Sequence, residues 1–198
     1  MPATHSTAGW HPRAVVTMTA LGLVSGALSS GLGTGRPIGL AWLASVAAGA
    51  GLPIPAELLP VILLGLYFGL AMGLGIWLST ARLLAVPVVL VTTLMAWGAA
   101  IQVGIRLQRT ADDDPHLVAA SLVAGAVGAA IVHLGCSLFS RTLRRRAWIA
   151  LTTLVGAAAG MLLYASHRKY ADEWVLYAIW QPAVAFVIGL GLARARSQ

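Results

Sequence analysis

The sequence predicts an all-α integral membrane protein, a bundle of about seven transmembrane helices, on three observations. Of 198 residues, 59% are hydrophobic and only 10% are charged, whereas roughly a quarter are charged in a soluble domain. The apolar residues gather in long runs, and a run of about 20 spans a ~30 Å hydrocarbon core at 1.5 Å rise per residue. The charges fall between the runs rather than inside them.

Seven runs follow in order: Ala14 to Gly33, Ile38 to Leu52, Leu58 to Ser79, Leu83 to Val103, Leu117 to Phe139, Ala147 to Ser166 and Trp174 to Leu192. A single helical domain over 14–193 is thus expected between a polar tail, 1–13, and a basic tail, 194–198. The first run is too long for the apolar stretch of a signal peptide, about 7 to 15 residues, and no small-x-small cleavage site follows it. It is expected to remain as a helix. The second run is short and bracketed by Pro37, Pro53 and Pro55. Proline ends helices, so six spans plus a re-entrant second segment is the alternative architecture.

The thirteen Lys and Arg give a pI near 10.8. They lie between apolar runs and not in a basic patch interleaved with aromatics, which argues for topology and against nucleic acid. In the seven-span layout Arg36, Arg82, Arg141, Arg144, Arg145, Arg146, Arg194 and Arg196 share one side. Arg13, Arg106, Arg109, Arg168 and Lys169 share the other, with all six acids. The bias assigns the Arg141 to Arg146 loop and the C-terminus to the cytoplasm of a multi-pass protein of the cell's inner (plasma) membrane, with Arg141, Arg144, Arg145 and Arg146 meeting anionic lipid. Making the second run re-entrant exchanges Arg13 for Arg36 and leaves the balance unchanged.

A duplicated layout is a further expectation. Leu23-Val24-Ser25-Gly26-Ala27 parallels Leu122-Val123-Ala124-Gly125-Ala126, and Ala41-Trp42-Leu43-Ala44 parallels Ala147-Trp148-Ile149-Ala150. Glu57 precedes Gly73-Leu74-Gly75 by the same interval at which Glu173 precedes Gly189-Leu190-Gly191. These matches suggest parallel repeats over 14–82 and 117–196, joined by a linker helix over 83–103, a layout similar to that of small duplicated carriers.

Glycines at four-residue spacing let helix backbones approach closely in lipid. Gly65, Gly69 and Gly73, Gly22 and Gly26, and Gly156 and Gly160 have that spacing. They predict helix packing within the bundle, or contacts in a homo-oligomer or with a larger membrane complex. No charge sits in the middle of a run, which argues against proton pumps, ion-coupled antiporters and voltage sensors. The last run has no lysine for a retinal Schiff base.

The deepest polar groups are then His133, Cys136, Gln102 and Gln181. His133 and Cys136 share a helix face, but two ligands are too few for a metal and no cofactor is expected. In Trp180-Gln181-Pro182 the proline frees a backbone carbonyl and the glutamine offers a donor and an acceptor. With Tyr67 and Tyr177 these residues are the candidates for binding solute. Pro55-Ala56-Glu57-Leu58 resembles, over four residues, the Pro-x-Glu-(Glu or Asp) motif of the heterodimer-type lycopene cyclases, with Leu58 in place of the second acid. That resemblance implies an intramembrane lipid or isoprenoid enzyme, in which Glu57 would be paired through the repeat with Glu173, although Ala171-Asp172-Glu173 lacks the motif's proline.

The sequence therefore supports three readings. The first is transport or binding of a neutral or weakly polar small solute within the bundle, the second the glutamate enzyme, and the third a non-catalytic subunit. The enzyme predicts a greasy cavity opening near the glutamates, and the subunit predicts an exposed glycine stripe with no cavity.

Overall fold

A computed structural model describes residues 12–33, 36–56, 58–108 and 113–194. Among them seven α-helices form: α1 (Pro12–Ser30), α2 (Leu40–Gly49), α3 (Leu58–Thr80), α4 (Ala85–Gln108), α5 (Asp114–Ser137), α6 (Arg146–His167) and α7 (Glu173–Ala193). All but α2 are long and apolar enough to cross a membrane. Threonines within the spans return their hydroxyls to the preceding turn, as Thr93 does to Val89 O at 2.7 Å and Thr153 to Ile149 O at 2.8 Å. This satisfies them without water.

The six long helices form a closed ring in the order α1, α3, α4, α5, α6, α7 and back to α1. Close approaches fix their directions. A Cβ on Gly22 would meet Ala185, one on Gly26 would meet Tyr177 O, and one on Gly189 would meet Val15, so α1 and α7 are antiparallel. Gly156 faces Ala129 and Gly160 faces Ser121, which sets α6 against α5 in the same way. The ring is therefore an up-and-down barrel of helices.

These directions decide between the two architectures. α1 begins beside the end of α7 and finishes at the end where α3 begins, so the chain between them does not cross. α2 is shorter than the Ile38 to Leu52 run, and its 10 residues reach ~15 Å, half a hydrocarbon core. It packs against α3 and leaves Trp42 66% exposed. Its entry is fixed by Gly39 at φ 80° and by the Tyr67 hydroxyl, which donates to Ile38 O. Six spans with a non-crossing second segment is the observed arrangement.

The parallel-repeat layout does not survive in the first helix pair. α1 and α5 run in opposite directions, and α2 is less than half the length of its counterpart α6, at 10 against 22 residues. α3 and α7 do run the same way. The offset shared by their glutamates cannot be followed, because Glu57 lies outside the described residues.

The two ends of the barrel differ. Arg13, Arg82, Arg141, Arg144, Arg145, Arg146 and Arg194 gather where α7 finishes, and Asp113, Asp114, Asp172 and Glu173 gather at the opposite end. At the arginine-rich end the interior is filled by Met18, Met72, Ile76, Val89, Val132 and Ile188, all with no exposed surface. Leu143, fully buried, closes that end from the α5 to α6 connection and rests against Gly191. Large apolar side chains such as Met95 and Leu154, 65% and 67% exposed, point outward instead. That inside-out distribution suits a lipid surround.

Candidate functional site

The acid-bearing half of the barrel is hollow. A cavity of about 570 Å³ lies between α3, α4, α5, α6 and α7, within the size range of small-molecule sites. Its α4 wall is Trp97, Ala100, Ile101 and Gly104, positions three and four apart that fall on one helix face. Gly125, Gly128 and Gly160 make the opposite wall thin. A Cβ on Gly128 would sit 3.4 Å from the Trp180 ring and 3.5 Å from Ala100, and one on Gly104 would meet only Ala124 Cβ, at 3.8 Å.

Aromatic rings form the floor. Trp180 meets Phe68 edge-on at 5.5 Å between centroids, and Trp97 lies 5.8 Å from Tyr177 and 5.7 Å from Trp180. The Trp180 indole N–H donates to Gly156 O at 3.1 Å, which locks its ring between α6 and α7. The Trp97 N–H is buried with no acceptor among the described residues. At the mouth lie Arg36, Glu173 and Ile105, all exposed. The Glu173 carboxylate accepts the Tyr177 hydroxyl at 2.9 Å.

Of the residues singled out for solute binding, Trp180 and Tyr177 line this cavity. Gln181 and Pro182 face the other way, towards α1. Pro182 packs on Gly22 and Gly26. Gln181, fully buried, accepts from Ser25 Oγ at 2.5 Å and donates to Ser29 Oγ at 2.9 Å, so both ends of its amide are occupied. Tyr67 is also outside the lining and tethers the α2 entry. The pairing of Glu57 with Glu173 cannot be described, since Glu57 is outside the described residues.

The glycine stripes face neighbours within the chain. Gly65, Gly69 and Gly73 rest on Leu94, Leu90 and Val86 of α4, Gly22 and Gly26 on α7, and Gly156 and Gly160 on α5.

His133 and Cys136 are not joined by a third ligand, and no group of three metal-binding side chains occurs among the described residues. The His133 Nε2–H donates to Leu143 O at 2.8 Å, and Nδ1 pairs with Thr152 Oγ1 at 2.8 Å. His133 thus holds the Leu143 closure in place. Arg144 is likewise occupied: it donates from Nε to Ser137 O and from Nη2 to Leu138 O, both at 3.1 Å, capping the last carbonyls of α5. Arg141, Arg145 and Arg146 stand exposed on the same rim, and Arg194 lies 5.4 Å over the Trp148 ring.

Sequence reasoning did not single out Trp97, Gly104, Gly128 or Arg36. The available signal was the spacing Trp97, Ala100, Ile101, Gly104 on α4, which puts one large ring above a strip of small residues. Comparison with known proteins returns no matching family model, curated protein or solved structure.

Proposed function

We propose that the protein binds a small, largely apolar molecule inside the outer half of its helix barrel, as a carrier or membrane binding protein. The observation that carries this reading is the 570 Å³ cavity with its aromatic floor. Apolar walls with a few polar groups are the usual composition of a small-molecule site. A continuously open channel is not favoured, because Leu143 and the packed side chains close the arginine-rich end. A carrier would have to move that closure to release its solute. The excess of arginines at the closed end supports a cytoplasmic assignment for it, with Arg141, Arg145 and Arg146 near anionic lipid. The hollow half then faces the opposite side of the membrane.

A terminally brominated decanol tests the proposal, because heavy-atom quenching reports proximity to the floor tryptophans. Saturable quenching is expected in nanodiscs of phosphatidylcholine. Gly104→Phe, which fills the hollow with little crowding of backbone, should abolish it while helical content is retained. Ala100→Leu, a smaller intrusion, should weaken it. Quenching that is linear in probe and indifferent to both substitutions overturns the reading.

One observation favours the enzyme as a second reading: Glu173 lines the mouth of a greasy cavity, hydrogen-bonded to Tyr177. A carboxyl there is placed to protonate a bound double bond. Glu173→Gln would then abolish turnover of a bound isoprenoid while leaving brominated decanol binding intact. The subunit reading is weakened, since it calls for exposed glycine stripes and a filled interior.

A further inference from the structure

The cavity's shape and its remaining hydrogen-bonding capacity narrow the ligand class, on the premise that the cavity is a binding site. Its lining runs along α4 from Ala96 to Ile105 and along α7 from Glu173 to Trp180, a depth of ~10 to 14 Å at 1.5 Å per residue. The hollow is therefore long, and apolar side chains and glycines line most of that length. Polar side chains in the lining are few: Arg36, Trp97, Ser121, Glu173 and Tyr177. At the mouth, the Arg36 guanidinium has no ion-pair partner among the described residues, and at the floor the Trp97 N–H lacks an acceptor. Both are donors. The one carboxylate in the lining, Glu173, accepts the Tyr177 hydroxyl on one oxygen and keeps its charge. An anionic headgroup would meet the Arg36 guanidinium, a fork of donors that forms no ion pair with any described residue and that suits carboxylate or phosphate.

We propose that the ligand is a single-chain anionic amphiphile, held with its chain along the α4 to α5 wall towards Trp97 and Trp180 and its headgroup at Arg36. A free fatty acid and a single-chain phosphate ester share this chemistry.

Quenching by terminally brominated decanoate, decyl phosphate and decanol in phosphatidylcholine nanodiscs tests the inference. Both anions should quench saturably in the wild type and bind more tightly than decanol. Arg36→Gln should weaken both about five- to tenfold, as expected for a partly exposed charge-assisted contact, and leave decanol unchanged. The relative affinities of decanoate and decyl phosphate tell which headgroup is preferred. Inorganic phosphate and acetate, which lack the chain, should not displace either probe. Displacement by those ions overturns the inference, as does equal binding of decanol and decanoate with no effect of Arg36→Gln. The latter result leaves the cavity itself standing as an apolar site. Absence of saturable quenching by any of the three, with Gly104→Phe indistinguishable from wild type, overturns the cavity reading as well.

Discussion

Gln181 illustrates how a buried polar side chain in lipid is assigned a role by its partners. Sitting beside a helix proline at mid-run, it has the composition of a solute contact, but Ser25 and Ser29 on α1 occupy its amide. It is a polar clamp between the first and last helices. Interhelical hydrogen bonds in membranes average well under the value for an isolated pair in hydrocarbon, because the unfolded chain also finds partners. Gln181→Leu should therefore lower stability by only about 0.6 to 2 kcal/mol, measured by denaturation in detergent, with decanol quenching preserved in the folded fraction. Loss of quenching without loss of stability would return Gln181 to the binding site. Ser25 and Ser29 stand four residues apart on α1 and so share a helix face. That they meet Gln181 was not legible in the sequence, because 156 positions separate Ser25 from Gln181 along the chain.

At the scale of elements, glycine decides which helices touch and how closely. A Cβ on Gly156 would lie 2.2 Å from Ala129 Cβ and 2.7 Å from Gly125 O, so even alanine forces α5 and α6 apart. Gly156→Ala should cost about 1 to 3 kcal/mol, the range for overpacking a tight contact. Because that pair also walls the cavity, the half-quenching concentration of decanol should shift as well. An unchanged unfolding midpoint would argue against so close a crossing. Helix ends are set by electrostatics as well as packing. Asp113 caps α5 by accepting the His116 N–H at 3.2 Å, and Asp114 pairs with Arg168 at the end of α6. The hydrogen bond from the His116 ring, then that from its backbone, holds the Asp113 carboxyl below the ordinary aspartate range. With the folded value depressed, the charge contributes stability above the unfolded aspartate value, about 3.9. The contribution is lost as pH falls through the folded value. The gap in thermal midpoint between wild type and Asp113→Asn should thus narrow as the pH falls below about 4. A gap that stayed unchanged down to about pH 2 would assign the effect to another group.

For the whole molecule, the decisive property is the direction of α1. Two readings of the second run were equally compatible with the distribution of arginines, because moving that run in or out of the membrane exchanges Arg13 for Arg36. Packing of Gly22 on Ala185 and of Gly189 on Val15 settles the direction of the helix. It brings Arg13 and Arg194 to one end, so tags fused at the two chain termini should be accessible from the same side of sealed vesicles. Accessibility from opposite sides would contradict the six-span ring.

The sequence by itself determined that this is a helical membrane protein, where its six long spans lie, and that its charges are sorted between two faces. Length, apolar composition and the cost of charge in hydrocarbon are local properties, written run by run. Trp180 and Tyr177, which the sequence marked as candidates for solute binding, line the cavity. Only the tertiary structure decided that the ring closes, that its arginine-rich half is filled while its acid-bearing half is hollow, and that Gln181 turns away from that hollow. Those features depend on which helix faces meet across the barrel. A helix that is apolar on every side carries no amphipathic stripe to announce its inward face.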